Sequence, residues 1–375
     1  MLVFRAETMT TPESPRSVLA LDRAGMEAVA GELGLPRYRA GQILKNVYSR
    51  FARVFSEMTD LPASLREGLA AKLSWPDIKI DGMQHDPTGP TDKLLITLAD
   101  GAKIEAVVMG NRNRPPTLCV SSQVGCPLGC KFCATGLMGF KRNLTYDEMF
   151  GQIWHLFAYL RREQGLKAAP NIVFMGMGEP LLNRKNLFAT LFAITDPERL
   201  ALGDRHVTVS TIGIPEGIRE LAHLELSVNL ALSLHHPEEA PRRDLMPYAK
   251  APLEEVMDAL EEYARATRRL VTFEYILLSG VNDRAEEASS LIRLIRAFGH
   301  PALVNLIPYN AVDETPYQTS PRGTTTRFME QLKSAGIRTT LRRTQGTKID
   351  AACGQLALKG FVGPDPKGLT TISMR

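Results

Sequence analysis

The sequence predicts an α/β protein: a parallel sheet, open or curved into a barrel, behind a small helical domain. Three observations carry this. From residue 117 to residue 344, short apolar runs alternate with helical patterns, and parallel strands require such crossovers. The first 80 residues instead carry three helical patterns after a short lead-in. The length, 375 residues, accommodates a barrel of ~250 residues with a smaller attachment.

Residues 1–16 read as a flexible lead-in, followed by amphipathic helices over 22–33, 38–53 and 62–73. The first ends at Gly34 before Pro36, and the third starts at Pro62, a favoured first helical position. Ile43, Val47, Tyr48 and Phe51 share one face of the second. The expected organisation is a helical domain over 1–80, a linker with a β-hairpin over 81–115, a core over 116–350 and a C-terminal segment over 351–375. The loop 82–92 marks the first boundary, and Asp100-Gly101 turns the hairpin between 93–98 and 103–109. Core strands are expected at 117–123, 171–177, 206–212, 227–234, 270–278, 302–308 and 338–344, with helices over 146–164, 183–196, 252–266, 284–298 and 324–335. Thr145 with Glu148 forms a capping-box signature for the first of these helices.

Composition narrows the class. The chain is 44% hydrophobic and 23% charged, which excludes wholesale disorder. No apolar run approaches the ~18 residues of a membrane span, and the N-terminus lacks a signal-peptide core, so a cytoplasmic protein without membrane partners is expected. The net charge of +4 says little about nucleic acid, but local patterning says more. Residues 111–143 hold Arg112, Arg114, Lys131, Lys141 and Arg142 with no acid, and residues 318–350 hold seven basic residues against Glu330 and Asp350. Both segments adjoin cysteines, where phosphates would have to approach.

Four of the five cysteines lie between Cys119 and Cys133, which core packing explains poorly. Cys126, Cys130 and Cys133 have the spacing CxxxCxxC directly after a predicted strand. Three thiolates without a fourth suit an iron–sulfur cluster with one open iron. Zinc is the alternative, but it takes four ligands and the loop has no histidine.

This CxxxCxFC loop resembles that of the radical S-adenosylmethionine (SAM) superfamily. The longer match is CVSSQVGC, GFKRNLT (139–145), MGMGEP (175–180) and DAACGQL (350–356), in that order. It is similar to the RlmN/Cfr family of RNA adenine methyltransferases. The resemblance implies a partial (β/α)6 radical SAM barrel carrying a [4Fe–4S] cluster on Cys126, Cys130 and Cys133. The open iron would bind SAM and convert it into a source of the 5′-deoxyadenosyl radical. Gly178 and Glu179 would sit near the SAM amino group, with Ser210, Ser233, Leu234, His235 and Asn310 around the rest. On the strand reading all of these lie at one end of the sheet, together with the cysteine loop.

A radical SAM enzyme needs three cysteines, so Cys119 and Cys353 require another explanation. Buried packing is one. The resemblance offers a second: Cys353 takes a methyl from one SAM, a second SAM supplies the radical, and carbon passes to adenine C2. Cys119 then releases the product by forming a disulfide with Cys353. The upstream stretch 338–348 carries Arg338, Arg342, Arg343 and Lys348 and no acid, and positive neighbours favour a Cys353 thiolate. The family's proton acceptor maps onto Glu105, which on residues alone reads as a surface strand carboxylate. The implied partners are 23S ribosomal RNA, certain tRNAs and an electron donor such as flavodoxin or ferredoxin. Two alternatives stay open: Cfr-like methylation at C8, and a non-catalytic iron–sulfur RNA-binding protein.

Overall fold

The computed structural model describes residues 15–110 and 114–358. The lead-in up to residue 14, Arg112 and the tail from residue 359 lie outside the described residues. The chain divides into two compact units, Met1–Pro76 and Asp77–Arg375.

In the first unit, β1 (Arg16–Ser17) pairs in parallel with β2 (Leu73–Ser74). Between them lie α1 (Arg23–Glu32), α2 (Tyr38–Tyr48) and α3 (Ala63–Lys72). Asp22 caps α1 by accepting the Gly25 N–H at 2.8 Å. Ile43, Val47, Met26, Val29 and Leu69 are wholly buried, as the helical spacing requires. The second helix is shorter than the predicted 38–53. The Ser49 and Arg50 amides both turn back to the Lys45 carbonyl, and Phe51 adopts a left-handed φ of 53°.

The second unit is built on one ten-stranded sheet. Strands β3 (Ile78–His85), β4 (Thr91–Leu98) and β5 (Lys103–Met109) form an antiparallel meander, and β5 pairs antiparallel with β6 (Thr117–Cys119). A short ribbon of β7 (Gln123–Gly125) and β8 (Phe140–Asn143) stands apart from the sheet, with α4 (Ala134–Leu137) between its strands. From β6 onward the main sheet is parallel and in chain order. It continues through β9 (Asn171–Phe174), β10 (Val207–Thr211), β11 (Asn229–Ser233), β12 (Val271–Leu277), β13 (Ala302–Pro308) and β14 (Thr339–Leu341). The crossovers carry α5 (Tyr146–Ala158), α6 (Arg184–Thr195), α7 (Pro215–His223), α8 (Glu239–Leu245), α9 (Leu253–Thr267), α10 (Ala285–Phe298) and α11 (Arg322–Ser334). This is the expected partial radical SAM barrel. Thr145 and Glu148 make the predicted capping box at the start of α5.

Two expectations are corrected. Residues 81–115 are no linker: β3 to β5 continue the core sheet, and the division between units falls at Pro76. The second half of β3, residues 82–85, falls in the expected loop 82–92, and its first residues in the expected helical domain; a register shift between Ile80 and Gly82 interrupts the strand's alternation. The far edge is β14, and no strand pairing joins it to β3 among the described residues. Instead, the Gly346 N–H donates to Asp86 Oδ2 at 3.1 Å, bringing the segment after β14 onto the β3–β4 turn.

Strand parity positions the site. Val207, Val209, Leu230, Leu232, Val271, Phe273, Val304 and Leu306 are wholly buried. Ser210, Ser233, Glu274, Ile276 and Ile307, of opposite parity, line a cavity of about 160 Å³.

Candidate active site

The loop after β6 is fixed against the loop after β9. The Ser122 and Gln123 amides both donate to the Met177 carbonyl, at 2.8 and 3.2 Å, and Gln123 Oε1 accepts the Glu179 N–H at 2.8 Å. Gly178 makes this approach possible: its φ is 103°, and a Cβ there would lie 2.6 Å from Gln123 Cβ.

Cys126, Cys130 and Cys133 line the cavity together. Their loop is anchored by the Cys126 N–H on the Gly139 carbonyl (2.9 Å) and the Lys131 N–H on the Leu245 carbonyl (3.0 Å). Burial pushes the Cys126 thiol up to about 12 and the Cys130 thiol well above its ordinary value, and raises Cys133. The three sulfurs also raise one another, so a cationic group among them is what turns them into thiolates. Three cysteine thiols lining one cavity are a donor set that would suit an iron–sulfur cluster with one open iron.

Opposite them, Glu179 Oε1 accepts the Leu181 N–H (3.0 Å) and Oε2 the Ile212 N–H (2.9 Å). Burial still lifts its carboxyl to about 7. His235 Nδ1 accepts the Ile276 N–H at 3.1 Å, which leaves Nε2 as the protonated nitrogen of a neutral ring. Burial holds its pKa down to about 3. The ring meets Phe132 edge-on with centroids 4.8 Å apart. Ser210 Oγ and Ser233 Oγ are 3.5 Å apart. Leu234 lines neither this cavity nor its neighbour; its side chain is buried and its N–H donates to the Glu274 carbonyl.

A second cavity of about 70 Å³ shares Cys133, Arg342 and Cys353 with the first and adds Cys119 and Asn310. The segment bearing Cys353 is held by the Ala134 N–H on the Gly354 carbonyl (2.8 Å) and by Thr135 Oγ1 on the Leu356 carbonyl (2.6 Å). Cys119 and Cys353 are free thiols here, so the implied disulfide does not stand between them. Burial pushes Cys119 up to about 12, Cys353 adds to the rise and Arg342 opposes it.

Glu105 is corrected most. It is no surface carboxylate but fully buried, 3.2 Å from the buried Lys93 ammonium. It lines neither cavity. Burial raises its carboxyl, while Lys93 and the Ala357 and Leu358 amides oppose this, so it lies behind the segment that carries Cys353.

Comparison with known proteins is consistent with this site. Residues 120–292 match the Radical SAM superfamily, and residues 17–74 match the ribosomal RNA large subunit methyltransferase N-terminal domain. A Thermus thermophilus protein, described as a probable dual-specificity RNA methyltransferase RlmN, is 45% identical over 351 residues, covering 92% of this chain and 96% of that protein. The chain belongs to the RlmN family. The Salinibacter ruber protein of the same description is 38% identical over 363 residues, covering 95% of this chain and 97% of its own length. The crystal structure of a radical SAM methyltransferase from Sphaerobacter thermophilus superposes with a TM-score of 0.86 at 40% identity, covering 91% of this chain and 99% of that one.

Within this RlmN-family fold, sequence reasoning missed Glu274 and Arg242. A glutamate in the apolar run Val271–Leu277 was the available signal for the first. Arg242 is almost wholly buried, donating to the Ile212 and Ser233 carbonyls close to Cys130. The basic stretch 111–143 offers less charge to RNA than its count implies. Arg142 grips Glu148 through two bonds (2.7 and 2.8 Å) and also meets Asp100, and Lys131 pairs with Asp244. In 318–350, Arg322, Arg327, Lys333, Arg338, Arg343 and Lys348 are exposed while Arg342 turns inward. No described helix is long and apolar enough to cross a membrane.

Proposed function

We propose that this radical SAM RNA methyltransferase adds a methyl group to C2 of one adenine in 23S ribosomal RNA and of the adenine beside the anticodon in certain tRNAs. It would act in the cytoplasm, use two SAM molecules per turnover and draw electrons from a flavodoxin or ferredoxin. The supporting observation is that Cys353 borders both cavities, facing the three loop thiols in one and Cys119 in the other.

A [4Fe–4S] cluster on Cys126, Cys130 and Cys133 would supply the electron that makes SAM a radical source. Glu179 offers a carboxylate to the SAM ammonium beside the backbone of Gly178, and Ser210, Ser233 and the neutral His235 present hydroxyl and imidazole groups to the rest. The SAM methyl and adenine C2 are both electrophilic, so direct polar transfer fails. The Cys353 sulfur resolves this by accepting a methyl first, as a thiolate nucleophile. Loss of one hydrogen atom from that methyl to the SAM-derived radical would let its carbon bond to C2, joining RNA to Cys353, with the surplus electron passing back to the cluster as the C2 proton leaves. Glu105 accepts the C2 proton; because it lies behind residues 357–358, that segment must yield for contact. Cys119 then attacks the Cys353 sulfur, the S–C bond breaks with its electron pair going to the base, whose methylene carbon takes up a proton to become the methyl group, and the disulfide formed is reduced by an external dithiol.

The test is mass spectrometry of nucleosides from RNA treated with anaerobically prepared protein, SAM and reductant. The reading predicts 2-methyladenosine together with 5′-deoxyadenosine. Only 8-methyladenosine would assign the chemistry to the Cfr type, and no 5′-deoxyadenosine would mean a non-catalytic protein.

A further inference from the structure

We infer that Phe140 is a stacking platform for the nucleotide next to the target adenine, set in an apolar rim of Leu137, Met138 and Leu182, with Lys141 meeting the adjoining phosphate; this rests on the RNA methyltransferase reading and names where that RNA lies. The motif GFKRNLT (139–145) has no part in the cluster, SAM or cysteine chemistry, and the β7–β8 ribbon that carries it stands apart from the main sheet. Exposed apolar surface is concentrated there. Of the nine large apolar side chains exposed among the described residues, Leu137, Met138, Phe140 and Leu182 are four, each between 41% and 48% exposed.

Hydrogen bonds fix this rim against the site. The Gly139 carbonyl, next to Phe140, accepts the Cys126 N–H at 2.9 Å. Gly125 allows that approach, since a Cβ there would lie 2.0 Å from the same oxygen. On the other side, α4 ends at Leu137 and begins with two contacts to the Cys353 segment. The Ala134 N–H donates to the Gly354 carbonyl at 2.8 Å, and Thr135 Oγ1 donates to the Leu356 carbonyl at 2.6 Å. The rim thus stands between the cysteine loop and the segment bearing Cys353. Leu182 joins it through Asn143, whose Nδ2 donates to the Leu182 carbonyl at 3.4 Å and whose Oδ1 accepts from Gln123 Nε2 at 2.8 Å.

RNA is the occupant this surface fits. An adenine that reaches Cys353 has left its stack, which bares a face of each neighbouring base at the mouth of the cavity. An exposed aromatic ring takes such a face whatever the base. Charge agrees with this. Residues 124–146 contain no acid, and Lys141 is exposed and meets no carboxylate among the described residues, whereas Lys131 and Arg142 are paired. Four partly exposed side chains also fall short of the ~800 Å² that each partner of a standard protein interface buries.

The test is binding of a fluorescein-labelled tRNA anticodon stem–loop to anaerobic, cluster-loaded protein, followed by anisotropy. Two further versions of the RNA lack the base on one or the other side of the adenine beside the anticodon. Phe140→Ala should weaken binding by about fivefold to 150-fold, the loss of one base–aromatic stack. Phe140→Tyr should keep the wild-type affinity and Phe140→Leu should not, which separates stacking from apolar contact. Removing one flanking base should weaken wild-type binding while changing Phe140→Ala little, a coupling that a structural role does not produce. Lys141→Met should lower the slope of log affinity against log salt by about 0.7, the share of one phosphate. Wild-type affinity in Phe140→Ala, additive losses with both shortened RNAs, or an unchanged salt slope in Lys141→Met would overturn the inference. So would self-association that Phe140→Ala abolishes with RNA affinity intact, which would make the rim a contact between copies. Failure of the methyltransferase reading shows separately, as wild-type protein that takes no methyl onto Cys353 from SAM.

Discussion

Asn310 Nδ2 donates to the Cys353 carbonyl at 3.1 Å. An amide assigned to SAM by family resemblance is thus engaged with the segment that carries the reactive sulfur, tying it to the loop after β13. Asn310→Ala should reduce methyl transfer by about twofold to thirteenfold, the range of one hydrogen bond worth ~0.5–1.5 kcal/mol. Its SAM affinity should change less than its turnover, which equilibrium binding and single-turnover rates together would check. An equal loss in both would return Asn310 to SAM binding alone.

Glu105 and Lys93 form a buried ion pair, so two roles for Glu105 can be separated. Glu105→Gln removes the carboxylate charge facing the buried Lys93 ammonium and should destabilise the second unit by about 3–5 kcal/mol. Combining it with Lys93→Met should restore most of the melting temperature. If Glu105 takes the C2 proton, the double variant stays inactive despite its restored stability. Recovery of activity along with stability would make the pair purely structural.

Gly178→Ala combines an unfavourable φ with a near-overlap on Gln123 and should cost on the order of 2–4 kcal/mol. Because the Gln123–Glu179 bond crosses this point, SAM binding should weaken as well. A thermal melt unchanged from wild type would contradict the packing described at the cavity rim.

His235 sets a pH dependence of known sign. Its folded pKa of about 3 lies below its ordinary 6.5. Above pH 6.5 both folded and unfolded states hold it neutral, and its contribution to stability is fully present. As pH falls from 6.5 toward 3 the unfolded chain takes up a proton that the folded chain refuses. Stability then declines by ~1.4 kcal/mol per pH unit. Urea unfolding across that window should show a shallower decline for His235→Asn, and identical slopes would refute the assignment.

Six of the seven parallel strands were legible as short apolar runs bounded by turns and helices, whereas β14 lies in the basic stretch Arg338 to Thr344. Strand β3 was not, since its bulge at Ile80–Gly82 breaks the alternation that identifies a half-buried strand. The cysteine loop declared itself by spacing. Glu274 and Arg342 could not be read in the same way: their importance depends on which side of β12 and of the segment after β14 faces the cavity. Arg142 misled for the converse reason, because a count of bases does not reveal that Glu148 and Asp100 already hold it.

The most direct test of the central claim is the fate of RNA on Cys119→Ala protein, loaded with cluster and supplied with SAM and reductant. The account predicts a stable protein–RNA adduct whose digestion locates a single carbon bridge between Cys353 and an adenine. Free methylated RNA released at the wild-type rate, with no adduct at Cys353, would contradict it.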